Sequence, residues 1–151
     1  MTTRIYVDTN IFISAFEGAL PKAEEIRRIM ALLETPAFLP VTSELTIAEL
    51  LVGPLMSGNT VLADRYKAIL GSPDELEVIG INRQVLERSA QIRARRQSLK
   101  LPDAIHVATA VQAGCRLFLS DDRRMRMDLP DLAFAGSQAG EAVAALESLA
   151  P

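Results

Sequence analysis

The 151-residue chain has one cysteine, one histidine, no tryptophan and only 5 % aromatic residues. Cys115, standing alone, can form no intrachain disulfide, which accords with a reducing compartment. So few aromatics leave no base-stacking platform of the kind that single-strand binders use. One histidine without a cysteine or histidine cluster rules out an ordinary zinc site. No phosphate-cradling glycine loop and no serine nucleophile motif are present. No run approaches the roughly 18 apolar residues of a membrane span. Met1-Thr2-Thr3-Arg4 leads straight into a strand-like segment, without the apolar stretch and cleavage site of a signal peptide, so a cytoplasmic protein with no membrane contact is expected. An excess of positive charge is also missing. The net charge is −3 and the pI about 5.2, so a polyanion would have to be met by a local cluster of bases.

What the chain does have is ordinary for a globular protein: 49 % hydrophobic and 23 % charged residues, enough for one domain spanning 1–151. Short apolar segments alternate with helical ones. Ile5-Tyr6-Val7 reads as a buried strand. Pro21 opens a helical stretch with Ile26, Ile29, Met30 and Leu33 at helical spacing. Phe38 to Val41 is strand-like despite Pro40. Leu45 to Val52 reads as a helix stopped by Gly53-Pro54, and Val61 to Leu70 as another. Leu76 to Ile81 is a strand, and Asn82 caps a long helix reaching about Gln97. Pro102 suits the first turn of the next helix and Gly114 its end. Arg116 to Leu119 and Leu132 to Ala135 are strands, and Glu141 to Leu149 is a terminal helix. Strands separated by helices imply an α/β fold with a parallel sheet covered on both faces. In that class ligands bind beyond the carboxyl ends of the strands.

Against this pattern, acids stand in apolar surroundings, where a charge is costly without a partner. Asp8 directly follows the first strand, and the Asp121-Asp122 pair follows a later one. Glu49 lies between Ala48 and Leu50. Asp103 opens a helix that is apolar nearly all round. Each has a plainer reading. Asp8 and Asn10 suit a helix start. Thr46-x-x-Glu49 matches a capping box, although the residues around Glu49 already look helical. Asp103 complements a helix dipole, and the aspartate pair suits a turn. His106, one turn after Asp103, reads first as a packed or hydrogen-bonded helix histidine. Taken together, the acids suggest something else. Two like charges about 4 Å apart repel by about 4 kcal/mol at an effective dielectric near 20. All-oxygen donors without His or Cys favour a hard cation, Mg²⁺ or Mn²⁺, and its natural chemistry is phosphodiester hydrolysis.

The segments Val7-Asp8-Thr9-Asn10, Ile47-Ala48-Glu49-Leu50, Leu101-Pro102-Asp103-Ala104-Ile105-His106 and Phe118-Leu119-Ser120-Asp121-Asp122-Arg123, in this order, resemble the PIN-domain family. Among its members the chain looks most like the small VapC-type toxins. The resemblance implies a three-layer α/β/α domain with a short central parallel sheet. It implies a Mg²⁺- or Mn²⁺-dependent ribonuclease, a homodimer, and inhibition by a small antitoxin protein. Carried over by position, Asp8, Glu49, Asp103 and Asp122 match the family's acids, as catalytic residues and metal ligands. Asn10 and Ser120 match supporting polar positions, and Asp121 falls at a variable one. Ser98 stands where the family often has Gly, which touches the loop before Asp103 rather than the acids.

An RNA substrate would have to meet bases close to the acids. Arg93, Arg95, Arg96 and Lys100 precede Asp103, and Arg123, Arg124 and Arg126 follow Asp122. Arg93, Arg96, Lys100, Arg123 and Arg124 are the candidate nucleic-acid contacts, with solvated charged faces as the plainer reading. Arg96 shares a helical stripe with Val85, Ser89, Ile92 and Leu99, which turns it inward toward the acids. Two other readings stay open: a phosphoryl-transfer module with Asp8 as nucleophile, and a non-catalytic domain that binds RNA or protein. Lysines at predicted strand ends would favour the first of these, and Lys22, Lys67 and Lys100 occupy none.

Overall fold

The computed structural model describes residues 2–18 and 21–151; Met1, with which the N-terminal segment begins, lies outside them, as do Ala19 and Leu20. Strands β1 Thr3–Val7, β2 Phe38–Ser43, β3 Glu77–Ile79, β4 Leu117–Leu119 and β5 Ala133–Ala135 form one parallel sheet in the order β3-β2-β1-β4-β5. Parallel neighbours need crossovers. Those are filled by α1 Thr9–Glu17, α2 Ala23–Leu33, α3 Leu45–Ser57, α4 Thr60–Leu70, α5 Arg83–Arg95 and α6 Leu101–Gln112, while α7 Glu141–Leu149 follows β5.

The two-residue period of a strand sorts its side chains between the faces. Ile5 and Val7 of β1, with Leu117 and Leu119 of β4, pack against residues of α1, α2 and α7 and against Leu50 and Tyr66 of α3 and α4. Tyr6 and Phe118, the alternate residues, pack on the other face with Val85, Ile92, Ala104, Val107 and Ala108 of α5 and α6. The expected three-layer α/β/α arrangement is therefore present. Small residues make the second face possible. Ala104 to Ala110 are buried without a break, so α6 lies flush between the sheet and its neighbours.

Several element boundaries differ from the expectation. Thr9–Glu17 is a full helix, anticipated only as the helix start that Asp8 and Asn10 suit. Gly53-Pro54 does not stop α3, which runs on to Ser57 with Pro54 inside it and ends at Gly58 in the left-handed conformation. A single proline removes one hydrogen bond, and the buried ring of Pro54 lies within a helix held by tertiary packing. β3 is shorter than Leu76–Ile81, and α5 ends at Arg95, where Arg96 leaves helical geometry. Pro40 does sit within β2, opposite Ile5, but β3 joins only from Val41 onward. The proline thus occupies the part of β2 that has a neighbour on one side only, where a missing N–H is tolerated. Among the described residues no helix is long and apolar enough to cross a membrane.

Cys115 begins the approach to β4 and is 4 % exposed. Burial pushes its thiol up to about 12. At pH 8 the native protein should react with a disulfide reagent at least about a hundredfold more slowly than the chain in guanidinium. Native reaction at the rate of a free thiol would contradict the packing of this face.

Candidate functional site

The sheet delivers the first acid directly. The Asp8 N–H donates to the Leu119 carbonyl at 3.0 Å, extending the β1–β4 ladder one step past Val7. Asp8 is 6 % exposed, and its side chain caps α1, Oδ1 accepting from the Thr9 N–H at 2.8 Å. Oδ2 accepts from the Ser120 hydroxyl at 2.7 Å and from Asn10 Nδ2 at 3.1 Å. The helix-cap reading and the site reading thus describe the same side chain. Asn10 also donates to Ser120 Oγ at 3.0 Å and accepts the Asp121 N–H at 3.0 Å, and Ser120 Oγ accepts the Asp122 N–H at 3.1 Å. Asn10 and Ser120 stitch together the ends of β1 and β4.

Glu49 arrives from the middle of α3. The capping-box reading does not hold: α3 begins at Leu45, and the Thr46 hydroxyl bonds Thr42 Oγ1 at 2.7 Å instead. Oε1 of Glu49 accepts from the Thr9 hydroxyl at 2.8 Å and pairs with His106 Nε2 at 2.5 Å. His106 is 1 % exposed. Its Nδ1 meets the Tyr6 hydroxyl at 2.6 Å, and Nε2 lies 3.9 Å from Asp8 Oδ1. The histidine is hydrogen-bonded and packed, as read from the sequence, but its partner is one of the candidate acids.

Asp103, in the first turn of α6, and Asp122, after β4, complete the group. Asp122 caps the short 3-10 turn Arg123–Met125 by accepting the Arg124 N–H, and it holds the Arg124 guanidinium at 3.0 and 2.8 Å. Asp121 faces elsewhere. It accepts the Ser137 N–H at 2.6 Å and the Ser137 hydroxyl at 2.9 Å, with Lys22 Nζ 3.5 Å away. A lysine therefore does reach a strand end, invisibly to the sequence because it comes from the α1–α2 connection; it meets Asp121 rather than Asp8. Gly136 allows this close approach, since a Cβ there would fall 3.1 Å from both Asp121 Oδ1 and the Ser120 carbonyl. Arg126 adds a second tie, pairing with both oxygens of Glu141, whose Oε1 also accepts the Gly136 N–H at 2.6 Å.

The acids feel one another. Burial, aided by the charge of Glu49, raises Asp8 above the ordinary carboxylate range, against the lowering effects of His106, Ser120 and Thr9. Burial raises Asp103 as well, with the charges of Asp122 and Glu49 adding to it. Burial also works to raise Glu49, but the hydrogen bond and charge of His106 outweigh it and the carboxyl is lowered. Arg124 lowers Asp122. Burial disfavours a charge on His106, yet its Glu49 hydrogen bond and the charges of Asp8, Glu49 and Asp103 raise it above its usual value. Among the described residues, no three His, Cys, Asp or Glu side chains stand in ready metal-holding geometry. Glu49 and Asp122 are engaged by His106 and Arg124. The donor set nevertheless suits a hard cation: all oxygens, with two carboxyls raised by burial and like charge, the stress that a cation relieves.

The bases divide by role. Among the described residues Arg96 makes no carboxylate ion pair, although its charge helps to lower Asp122; its Nη1 donates to the Arg126 carbonyl at 2.5 Å, because α5 ends there and the side chain crosses to the 3-10 turn. Arg93 Nε donates to the Leu99 carbonyl at 3.0 Å and so braces the loop before α6. Lys100, Arg123 and Arg124 are exposed. A cavity of about 500 Å³ lies apart from the acids between α2, β2 and the segment before β3, lined chiefly by apolar residues such as Phe12, Met30, Leu33 and Phe38.

Residues 5–128 match the PIN domain family, to which the chain belongs. The fold recurs in solved structures of toxins. A toxin–antitoxin complex from Klebsiella pneumoniae is 26 % identical, covering 85 % of this chain and 94 % of that one, with a TM-score of 0.64. VapC20 of Mycobacterium tuberculosis, described as a sarcin–ricin loop cleaving toxin, is 17 % identical over 80 % of this chain and 92 % of its own, at a TM-score of 0.66. DNA-bound VapBC from Salmonella typhimurium is 23 % identical over 91 % and 99 %, at 0.64. No curated protein matches the sequence.

Asp121→Ala removes a charged acceptor with two donors from Ser137. We expect it to destabilise the fold by about 1.5–3 kcal/mol in urea unfolding, the range for hydrogen bonds to charged groups. A loss below about 0.5 kcal/mol, within the spread of ordinary surface changes, would show that this tie does not hold the loop.

Proposed function

We propose that this chain is a Mg²⁺- or Mn²⁺-dependent endoribonuclease, the toxin of a type II toxin–antitoxin pair. One observation carries the reading most: Asp8, Glu49, Asp103 and Asp122, from four separate segments, are electrostatically linked at the carboxyl edge of a parallel sheet. Asp8, Glu49, Asp103 and Asp122 would hold the cation. When bound, it would lower the pKa of a coordinated water and stabilise the leaving oxygen of an RNA phosphodiester. Asn10 and Ser120 keep Asp8 oriented. Arg123, Arg124 and Lys100 supply exposed positive charge beside the acids, which answers the acidic pI. Arg124 has a further part to play: it neutralises Asp122 in the resting chain and can turn to a phosphate when Asp122 takes up the cation.

A small antitoxin and a second copy of the chain are the proposed protein partners. The toxin–antitoxin assemblies among the structural neighbours support the first of these. Exposed apolar side chains along α3 and the start of α4 support a protein partner, where Val52, Leu55, Met56 and Val61 are 54, 66, 84 and 70 % exposed. A cluster of that kind marks a protein-covered surface.

The test is cleavage of mixed RNAs by the purified protein with and without Mg²⁺ or Mn²⁺, beside Asp8→Asn and Asp103→Asn. Each substitution should lower metal-dependent cleavage by at least about a hundredfold, the upper end of what losing an outer-shell partner does. Robust cleavage by both variants would sink the reading. Reversing Lys100, Arg123 and Arg124 together should weaken RNA binding and flatten its salt dependence, by about 0.7 in slope for each phosphate of a single strand that is no longer neutralised. Binding unchanged at every salt concentration would place the RNA elsewhere.

A further inference from the structure

Tyr6 and His106 are both fully enclosed, come from β1 and α6, and are not among the oxygen donors that the proposed chemistry needs. The Tyr6 ring is fixed by stacking on Phe118, centroids 4.8 Å apart and planes 16° from parallel. Its hydroxyl bonds His106 Nδ1 at 2.6 Å, so Nε2 is turned to Glu49. A carboxylate there requires an N–H, and Nε2 carries one whether the imidazole is neutral, with the phenol donating to Nδ1, or charged.

Both donors to Glu49 fall on the same oxygen. The His106 Nε2–H from α6 and the Thr9 hydroxyl from α1 meet Oε1 at 2.5 and 2.8 Å. Among the described residues Oε2 accepts no hydrogen bond. With both ring nitrogens engaged, His106 is not itself placed as a ligand. Glu49 is half-buried on a flexible side chain, and without these two donors its carboxylate would have several rotamers to choose from.

We propose that His106, oriented by Tyr6, is a positioning residue that grips Glu49 by Oε1 and leaves Oε2 free for a divalent cation. The inference rests on the metal-dependent reading above. The Tyr6–His106–Glu49 chain links the sheet to the acid cluster, in the manner of outer-shell groups that orient metal-binding carboxylates.

The experiment is Mn²⁺ binding to the full chain, followed by the electron paramagnetic resonance of the free ion, with thermal stability recorded beside it. The proteins are the wild type, His106→Leu, His106→Gln and Tyr6→Phe. The leucine variant should bind Mn²⁺ about ten- to a hundredfold more weakly. Glutamine, whose amide N–H can stand in for Nε2–H, should recover most of that loss. Tyr6→Phe keeps the stacked ring and removes only the hydroxyl, and should fall between wild type and leucine. Excess Mn²⁺ should restore RNA cleavage in folded variants with KM for RNA unchanged, which a merely structural defect would not permit. If His106→Leu does not fold, Tyr6→Phe decides: Mn²⁺ affinity equal to or tighter than wild type overturns the positioning role. Equal affinity in a folded leucine variant overturns it as well. A wild type that binds no Mn²⁺ overturns the metal-dependent reading itself, and this inference with it.

Discussion

Like charges brought to one edge of a sheet repel one another, and the polar residues around this edge are distributed to counter that repulsion. Asp8 is met by the Thr9 N–H, Ser120 and Asn10, Glu49 by Thr9 and His106, and Asp122 by Arg124. The donors come from α1, α6 and the segment after β4, so the acids cannot be held without the fold being complete. The acid with no such hydrogen bond among the described residues, Asp103, is one of the two that burial and neighbouring charge raise most plainly. Charge is thus balanced unevenly across the group. On the proposed reading, that unevenness is what a bound cation would relieve.

The fold serves this constraint through ordinary means. A parallel sheet places every strand end on the same side, which brings Asp8 and Asp122 together though they lie far apart in sequence. An α6 of small apolar residues packs flush against the sheet and carries Asp103 and His106 in with it. The segment after β4 is tied down separately. Asp121 fastens it to Ser137, and Arg126 fastens it to Glu141 at the start of α7. One aspartate of the adjacent pair therefore anchors the loop while the other faces the acid group.

Much of this was legible in the sequence because it depends on local pattern. Apolar triplets followed by Asp gave the strand ends, Asn82 gave a helix start, and the ordered acid motifs gave the family. The aspartate pair was read apart on position alone, Asp122 falling at the recurrent place and Asp121 at a variable one. What stayed hidden depends on meetings between distant segments. His106 and Tyr6 are a hundred positions apart, and nothing local to either foretells the contact. Arg96 lay on an inward stripe and its charge does reach Asp122, but α5 ends just before it, and the backbone carbonyl that takes its hydrogen bond could not be foreseen. Gly53-Pro54 looked like a stop because propensity is local, whereas α3 is held by its tertiary surroundings.

The most direct measurement is diffraction from crystals grown with Mn²⁺, read at a wavelength where manganese scatters anomalously. The expected result is a peak coordinated by oxygens of Asp8 and Asp103, joined by Glu49 or Asp122, with Arg124 displaced from Asp122. Metal–oxygen distances near ~2.1 Å, as for hard octahedral cations, would identify it. A cluster that stays free of manganese at saturating concentration, with Glu49 still on His106 and Asp122 still on Arg124, would contradict the central claim that these acids are gathered to hold a cation.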